Sequence, residues 1–311
     1  MKIFIATEAR VYIVGNHYYA SNPLCKVLER YHRFFGEFVL CTRLQRKKSK
    51  DELSPLFEEA THYIHETVNI DSLSGVVVGK YDKVMEESIH SCQLVIARVP
   101  SAIANRAASI AKKNGIPYLA EVIGCIWDSY WNYNLKSKLI ALPAFLMMRN
   151  VVREANYATY VTEKFLQRRY PCTCESIHCS NVLIEQPMAD ILEQRLVKIR
   201  NKEESEYILF TAAAVDVSYK GQEYVIRAMQ LLKHEGIHLI YRLAGGGDQT
   251  RLADIAKECD VQDDVLFLGG LSREGVENEL DKADIYIQPS LQEGLPRSVI
   301  EAMSRACPCL G

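Results

Sequence analysis

Residues 283–303 confine this chain to a small set of folds. An apolar stretch at 283–287 reads as a buried strand, Pro289 and Ser290 end it, and Pro296 supplies the fixed φ suited to a first helical position. The backbone N–H groups near Arg297 and Ser298 then face the carboxyl end of the strand. Ligands bind there in open α/β sheets, and a helix N-terminus at that place favours an anion. Two carboxylates frame the turn. Glu293 lies within it, and Glu301 follows about one helical turn into the helix, placed to reach past an anion to hydroxyl groups. A ligand that carries both phosphate and sugar hydroxyls fits this layout.

Strands and helices alternate through the rest of the chain, which argues for parallel sheets with helical crossovers. In the first part, strands are predicted at 2–6, 37–42, 93–97, 117–123 and 157–161. Ser101 is placed to cap a helix whose Ile103, Ala107, Ile110 and Ala111 share one face, with Asn114-Gly115 as its stop. The basic run 43–50 reads as an exposed loop after a strand. A second Rossmann-like half begins at Glu206, with strands at 207–213, 237–243 and 265–268, helices at 221–234 and 248–259, and a tight turn at Gly245-Gly246-Gly247. The expected organisation is a domain over 1–187, a polar, mixed-charge connection over 188–205 and a second domain over 206–311.

Composition sets the remaining bounds. A length of 311 residues suits two domains, and 48% hydrophobic with 24% charged residues describes an ordinary soluble protein. The first apolar run meets Glu8 too early for a signal peptide, and the run 139–148, interrupted by Pro143, is shorter than the roughly 20 residues that span a bilayer. The ten cysteines are scattered, which favours a reduced, cytoplasmic protein over a disulfide framework. Cys172, Cys174, His178 and Cys179 are dense enough to consider as metal ligands but lack paired C-x2-C knuckles; the segment reads as a linker and no metal site is assigned. Residues 1–180 carry 23 Lys and Arg against 17 Asp and Glu, whereas residues 181–311 carry 14 against 22. The basic front suits an anionic acceptor or a peripheral contact with the inner face of the cell membrane, against the alternative of solvated surface charge. Residues 135–153, which mix Lys and Arg with Leu, Phe and Met, read either as an interfacial helix broken by Pro143 or as a buried domain helix, the latter slightly preferred. Nothing points to nucleic acid, since basic residues are not interleaved with stacking aromatics.

The string Pro289-Ser290-Leu291-Gln292-Glu293-Gly294-Leu295-Pro296-Arg297-Ser298-Val299-Ile300-Glu301-Ala302-Met303 resembles the motif of retaining, nucleotide-sugar-dependent glycosyltransferases of family 4, also called group 1. That resemblance implies the GT-B fold, an α/β architecture of two Rossmann-like domains facing across a cleft. It implies a hexosyl- or other glycosyltransferase that takes a UDP- or GDP-sugar as donor substrate, with no cofactor and no metal. It places Glu293 beside the donor sugar and Glu301 on the nucleotide ribose; by its position at the helix N-terminus, the segment Gly294, Leu295, Pro296, Arg297 and Ser298 would then meet the diphosphate. The segment ending in Lys220-Gly221 is similar to the family loop whose Lys neutralises that diphosphate, although Val215 stands where most members have Arg. Gly246 and Gly247 match the second-domain glycine loop near the donor, and Asp248 reads as a helix cap.

In the first domain, residues 120–128 and 160–171 resemble a subgroup that builds bacterial surface polysaccharides, with Ile123-Gly124 in place of the usual His-Gly. The acceptor, a polysaccharide or lipid-linked saccharide, would then meet Gly15, Asn16 and Asp128, though a turn-capping Asp128 remains open. Family members continue beyond the point where this sequence stops at Gly311, so a C-terminally truncated second domain is expected. Two alternatives stay beside the transferase: a GT-B nucleotide-sugar epimerase, and a non-catalytic sugar-nucleotide-binding protein or inactive fragment.

Overall fold

Two sheets, the first mostly and the second wholly parallel, organise the computed structural model, one in each of two units, residues 1–181 and 182–311. Residues 1–182, 184, 187–202 and 206–311 are described. The end of the expected connection, 203–205, and residues 183 and 185–186 of the first expected domain lie outside the described residues.

The first unit runs β1 (Ile3–Val14), β2 (His17–Ser21), α1 (Asn22–Phe35), β3 (Phe38–Lys47), β4 (Phe57–Glu59), β5 (Glu66–Asn69), α2 (Leu73–Val77), α3 (Asp82–His90), β6 (Leu94–Val99), α4 (Ala102–Lys113), β7 (Tyr118–Val122), α5 (Ile126–Trp131), α6 (Leu135–Arg153), β8 (Tyr157–Tyr160), α7 (Phe165–Arg169) and β9 (Glu175–His178). Seven of its strands pair in parallel in the order β5-β3-β1-β6-β7-β8-β9, so the winding direction reverses between β1 and β6. This is the Rossmann-like arrangement, with its switch point between those two strands. Ile3, Ile5, Leu28 and Leu40 are fully shielded in the core on one face. Helix α4 starts and stops as its sequence signals indicate: the Ser101 hydroxyl accepts from Ala104 N, and Gly115 past its end has φ +68°.

Several local expectations need correction. Strand β1 does not end near residue 6; after a register shift between Ala6 and Arg10 it continues to Val14, now flanked by β3 and the antiparallel β2. The basic run expected as a loop therefore belongs to β3 as far as Lys47, its backbone paired with Arg10–Val14. Charged side chains are compatible with a strand whose one face meets water. The stretch around Cys172–Cys179, expected as a linker, supplies β9, which pairs with β8. Helix α6 is unbroken through Pro143, and it is not a buried helix: only Ser137, Ala141, Met148, Val151 and Val152 are enclosed.

The second unit contains α8 (Ile191–Arg200), β10 (Tyr207–Ala212), α9 (Gln222–His234), β11 (Leu239–Ala244), α10 (Thr250–Glu258), β12 (Val265–Gly269), α11 (Arg273–Lys282), β13 (Ile285–Ile287), α12 (Arg297–Ser304) and β14 (Cys309–Leu310). The strands are all parallel in the order β12-β11-β10-β13-β14, with the switch point between β10 and β13. Successive residues of β10 serve opposite faces, as a strand requires. Leu209 packs with Met229, Tyr241 and Ile255, whereas Phe210 packs with Leu280, Tyr286 and Ala302. Part of the expected connection is ordered as α8. Its buried Arg195 guanidinium donates to the Leu280 and Ala283 carbonyl oxygens at 2.8 and 2.6 Å, satisfying acceptors that the end of α11 leaves open.

Candidate active site

The switch point of the second sheet gathers the residues on which the sequence reading rests. One loop leads from β10 through a short 3-10 turn, Ser218–Lys220, into α9, and the other leads from β13 through 288–296 into α12. A seam joins them. Leu291 N donates to the Tyr219 carbonyl oxygen at 2.8 Å, and Gly221, at φ +72°, lies so close to Pro289 that a Cβ would collide with its carbonyl. Only glycine combines that backbone conformation with that approach.

Across the seam, Lys220 Nζ lies 2.7 Å from Glu293 Oε1, with side chains 20% and 25% exposed. Glu293 Oε1 also accepts from Gln288 Nε2 at 3.0 Å. Gln288, 7% exposed at the end of β13, is a residue that motif reasoning passed over. Its Oε1 accepts from Tyr286 Oη at 2.6 Å and from Ser298 Oγ at 3.1 Å, while its Nε2 also donates to Ser290 Oγ at 2.7 Å. Both lone-pair sites and both N–H groups of the amide are thus used. One signal could have revealed it: a polar side chain closing an apolar strand directly before Pro289.

Helix α12 begins after Pro296, and the backbone N–H groups of Gly294, Leu295, Arg297 and Ser298 donate to no described acceptor. The Arg297 side chain is exposed, and that of Ser298 is turned toward Gln288. Glu301 follows in the next turn, with its carboxylate hydrogen-bonded to no described residue. Burial pushes its pKa above the ordinary 4.5, with Arg297 and Arg273 opposing that shift. The site therefore offers open amide donors, an ammonium and a carboxylate with no donor among the described residues. Such a set suits an anion followed by hydroxyl groups.

The glycine loop lies against the same β10 loop. A Cβ at Gly245 would run into the Ala213 carbonyl, Val215 N donates to the Gly246 carbonyl at 3.2 Å, and Gly247 adjoins the Asp216 side chain. Close approach thus falls on Gly245 rather than on Gly246, around which a Cβ would find open space. Val215, at the family's Arg position, is 2% exposed in the core and brings no cation. Asp248 is not the helix cap expected of it: Gln249 holds that position of α10, and Asp248, one residue earlier, accepts from the Thr250 hydroxyl at 2.6 Å and from Thr250 N at 2.9 Å, bonds that lower its pKa.

In the first unit the expected acceptor-side residues are dispersed. Gly15 and Asn16 form the two-residue tip of the β1–β2 hairpin, beyond the segment where β1 lies next to β6. Asp128 is neither at a strand end nor a turn cap; it sits in α5 and accepts from Arg169 Nη1 at 2.8 and 2.9 Å. At this unit's switch point stands Glu8, whose Oε2 accepts from Ala102 N at the start of α4 at 3.0 Å. Glu121 is buried, held by Arg98 Nε at 2.5 Å and Tyr31 Oη at 2.6 Å. Among the described residues no group of three or more His, Cys, Asp and Glu is arranged to hold a metal ion, the Cys172–Cys179 stretch included.

Residues 193–311 match the family model described as Glycosyl transferases group 1. The chain is 29% identical over its full length to Protein CapJ of Staphylococcus aureus, covering 78% of that protein. It is 28% identical to the amylovoran biosynthesis glycosyltransferase AmsK of Erwinia amylovora, over 44% of this chain and 34% of AmsK. Among solved structures, Anabaena Alr3699/HepE in complex with UDP and glucose aligns with a TM-score of 0.65 at 14% identity, over 99% of this chain and 80% of HepE. At that identity the likeness speaks for the fold: the α/β architecture with Rossmann-like sheets found in GT-B glycosyltransferases.

Proposed function

We propose that this chain, whose residues 193–311 match the model of Glycosyl transferases group 1, is a glycosyltransferase that moves a sugar with retention of configuration from a nucleoside diphosphate sugar to a polysaccharide or lipid-linked saccharide acceptor. The observation that carries the proposal is the placement of Lys220, Glu293 and the open N–H groups before α12 around one switch point, with Glu301 in the next turn. The names of AmsK, an amylovoran biosynthesis enzyme, and of HepE bound to UDP and glucose support the polysaccharide product and the nucleotide-sugar donor.

Cleavage at the anomeric carbon develops positive charge on the sugar and negative charge on the departing diphosphate. Lys220 and the amides of Gly294, Leu295, Arg297 and Ser298 meet the diphosphate as donors fixed before the reaction, so little reorganisation is needed as charge builds. Glu301 accepts from the ribose hydroxyls. Glu293, released from Lys220 when the diphosphate takes that ammonium, turns its charge toward the sugar and opposes the positive charge there. The departing phosphate takes the acceptor proton late, so a separate strong base is not required.

The test is incubation with UDP- and GDP-sugars and a panel of saccharide acceptors. Acceptor-dependent release of nucleoside diphosphate, with the anomeric configuration of the product read by NMR, supports the proposal. Tight donor binding without transfer to any acceptor would favour a sugar-nucleotide-binding protein, a reading to which the buried Val215 lends weight.

A further inference from the structure

We propose that α6 is a membrane-surface helix that seats the first unit on an anionic phospholipid bilayer. Helix α6 spends its enclosed side on Ser137, Ala141, Met148, Val151 and Val152, and turns a continuous apolar face outward. Leu135 and Leu139 are 80% and 81% exposed, and Leu142 and Leu146 are about half exposed. Their spacing of four, three and four residues sets them in one stripe along the helix, with Ile140, Pro143 and Met147 widening it. Isolated exposed leucines are ordinary, but a row of this length on one helix marks an interaction surface.

The charges around the stripe identify what it meets. No Asp or Glu occurs from residue 135 to 153, while Lys136 and Lys138 stand near the start of the helix and Arg149 and Arg153 near its end. Lys138 Nζ lies 5.1 Å from the centroid of the Trp131 ring, and Arg149 Cζ lies 6.0 Å from that of Phe145. Trp131 and Tyr133, both exposed, precede the helix. A protein-binding core is depleted in lysine, whereas an apolar helix face bounded by Lys, Arg, Trp and Tyr matches the boundary between headgroups and acyl chains. The positive charges complement anionic headgroups. No described helix is long and apolar enough to cross a membrane, so α6 lies along the surface. This contact belongs to the first unit alone and does not depend on the assignment of Lys220, Glu293 or Glu301.

The test is flotation of the whole chain with phosphatidylcholine vesicles, with and without phosphatidylglycerol, at low and high salt. The wild type is expected to float with the anionic vesicles and to be released by salt. The double variant Leu139→Glu/Leu146→Glu should stay at the bottom of the gradient. Lys136→Gln should weaken binding about fivefold, the equivalent of roughly 1 kcal/mol per basic residue near an anionic surface. Circular dichroism and retained nucleotide binding verify that the variants fold. Equal recovery of wild type with and without lipid would overturn the proposal, as would undiminished flotation of the folded double variant. A wild-type dimer that ignores vesicles and becomes monomeric in the double variant would overturn it too, assigning the stripe to contact between copies.

Discussion

Lys220 Nζ and Glu293 Oε1 stand 2.7 Å apart, so the cation proposed for the diphosphate and the carboxylate proposed for the sugar are paired with each other before any donor arrives. Donor binding exchanges that pair for a new one, and the two residues should separate in their effects. Lys220→Met should weaken nucleoside diphosphate binding about 10- to 100-fold, the scale of a lost charge-assisted hydrogen bond. Glu293→Gln should leave donor binding almost unchanged and lower turnover about 100-fold or more, as expected for charge stabilisation felt mainly in the transition state. Calorimetric titration and initial rates on both variants check this.

Glu301 should report nucleotide binding through a proton. Burial holds its folded pKa above the ordinary 4.5, so its contribution favours the folded state most below that value and is lost as pH rises through the raised pKa. Glu301→Gln should therefore gain thermal stability relative to wild type at neutral pH, with the difference closing under acid conditions. A ribose hydroxyl donated to the carboxylate favours its charged form, so donor binding at mildly acidic pH should release a proton. Calorimetry in buffers of different ionisation enthalpy measures that release. Glu301→Ala should weaken donor binding far more than Glu293→Gln does.

Gln288 acts through Glu293 and Ser298 and is a positioning residue. Gln288→Leu strips partners from the Tyr286 hydroxyl and from Glu293, and should cost about 1–3 kcal/mol of stability by the usual penalty for orphaned buried polar groups. Gln288→Glu retains the size but cannot donate to Glu293. It should lower kcat more than it raises KM, which thermal melts alone would not reveal.

Gly221 holds the two loops together. Gly221→Ala places a side chain at φ +72° against the Pro289 carbonyl, and the left-handed conformation alone should cost about 1 kcal/mol or more. Because the displaced loop carries Lys220, donor affinity should fall along with melting temperature.

The second sheet was largely legible in the sequence because its strands are short apolar runs punctuated by glycine and proline, and the elements predicted from 207 onward match β10 to α12 within a few residues, except for α11, which the sequence reading left out. Local signals also sufficed for α4, where Ser101 and Gly115 mark both ends. The extension of β1 to Val14 was hidden, because Arg10 and the basic run 43–47 look like loop until their backbones are paired. Position 128 was legible as an acid but not as a partner of Arg169, a contact 41 residues away in sequence. Gln288 escaped for a related reason: its four hydrogen bonds join a strand, a loop and a helix start, and only the fold brings them to one amide.

The central claim is that this switch point binds a nucleoside diphosphate sugar and transfers its sugar. Its most direct measurement follows nucleoside diphosphate release from UDP- and GDP-sugars by wild type and Glu293→Gln, with and without saccharide acceptor. The account predicts acceptor-dependent release by wild type, and donor binding with release cut about 100-fold in the variant. Equal release by both proteins, or no donor binding by either, would contradict it.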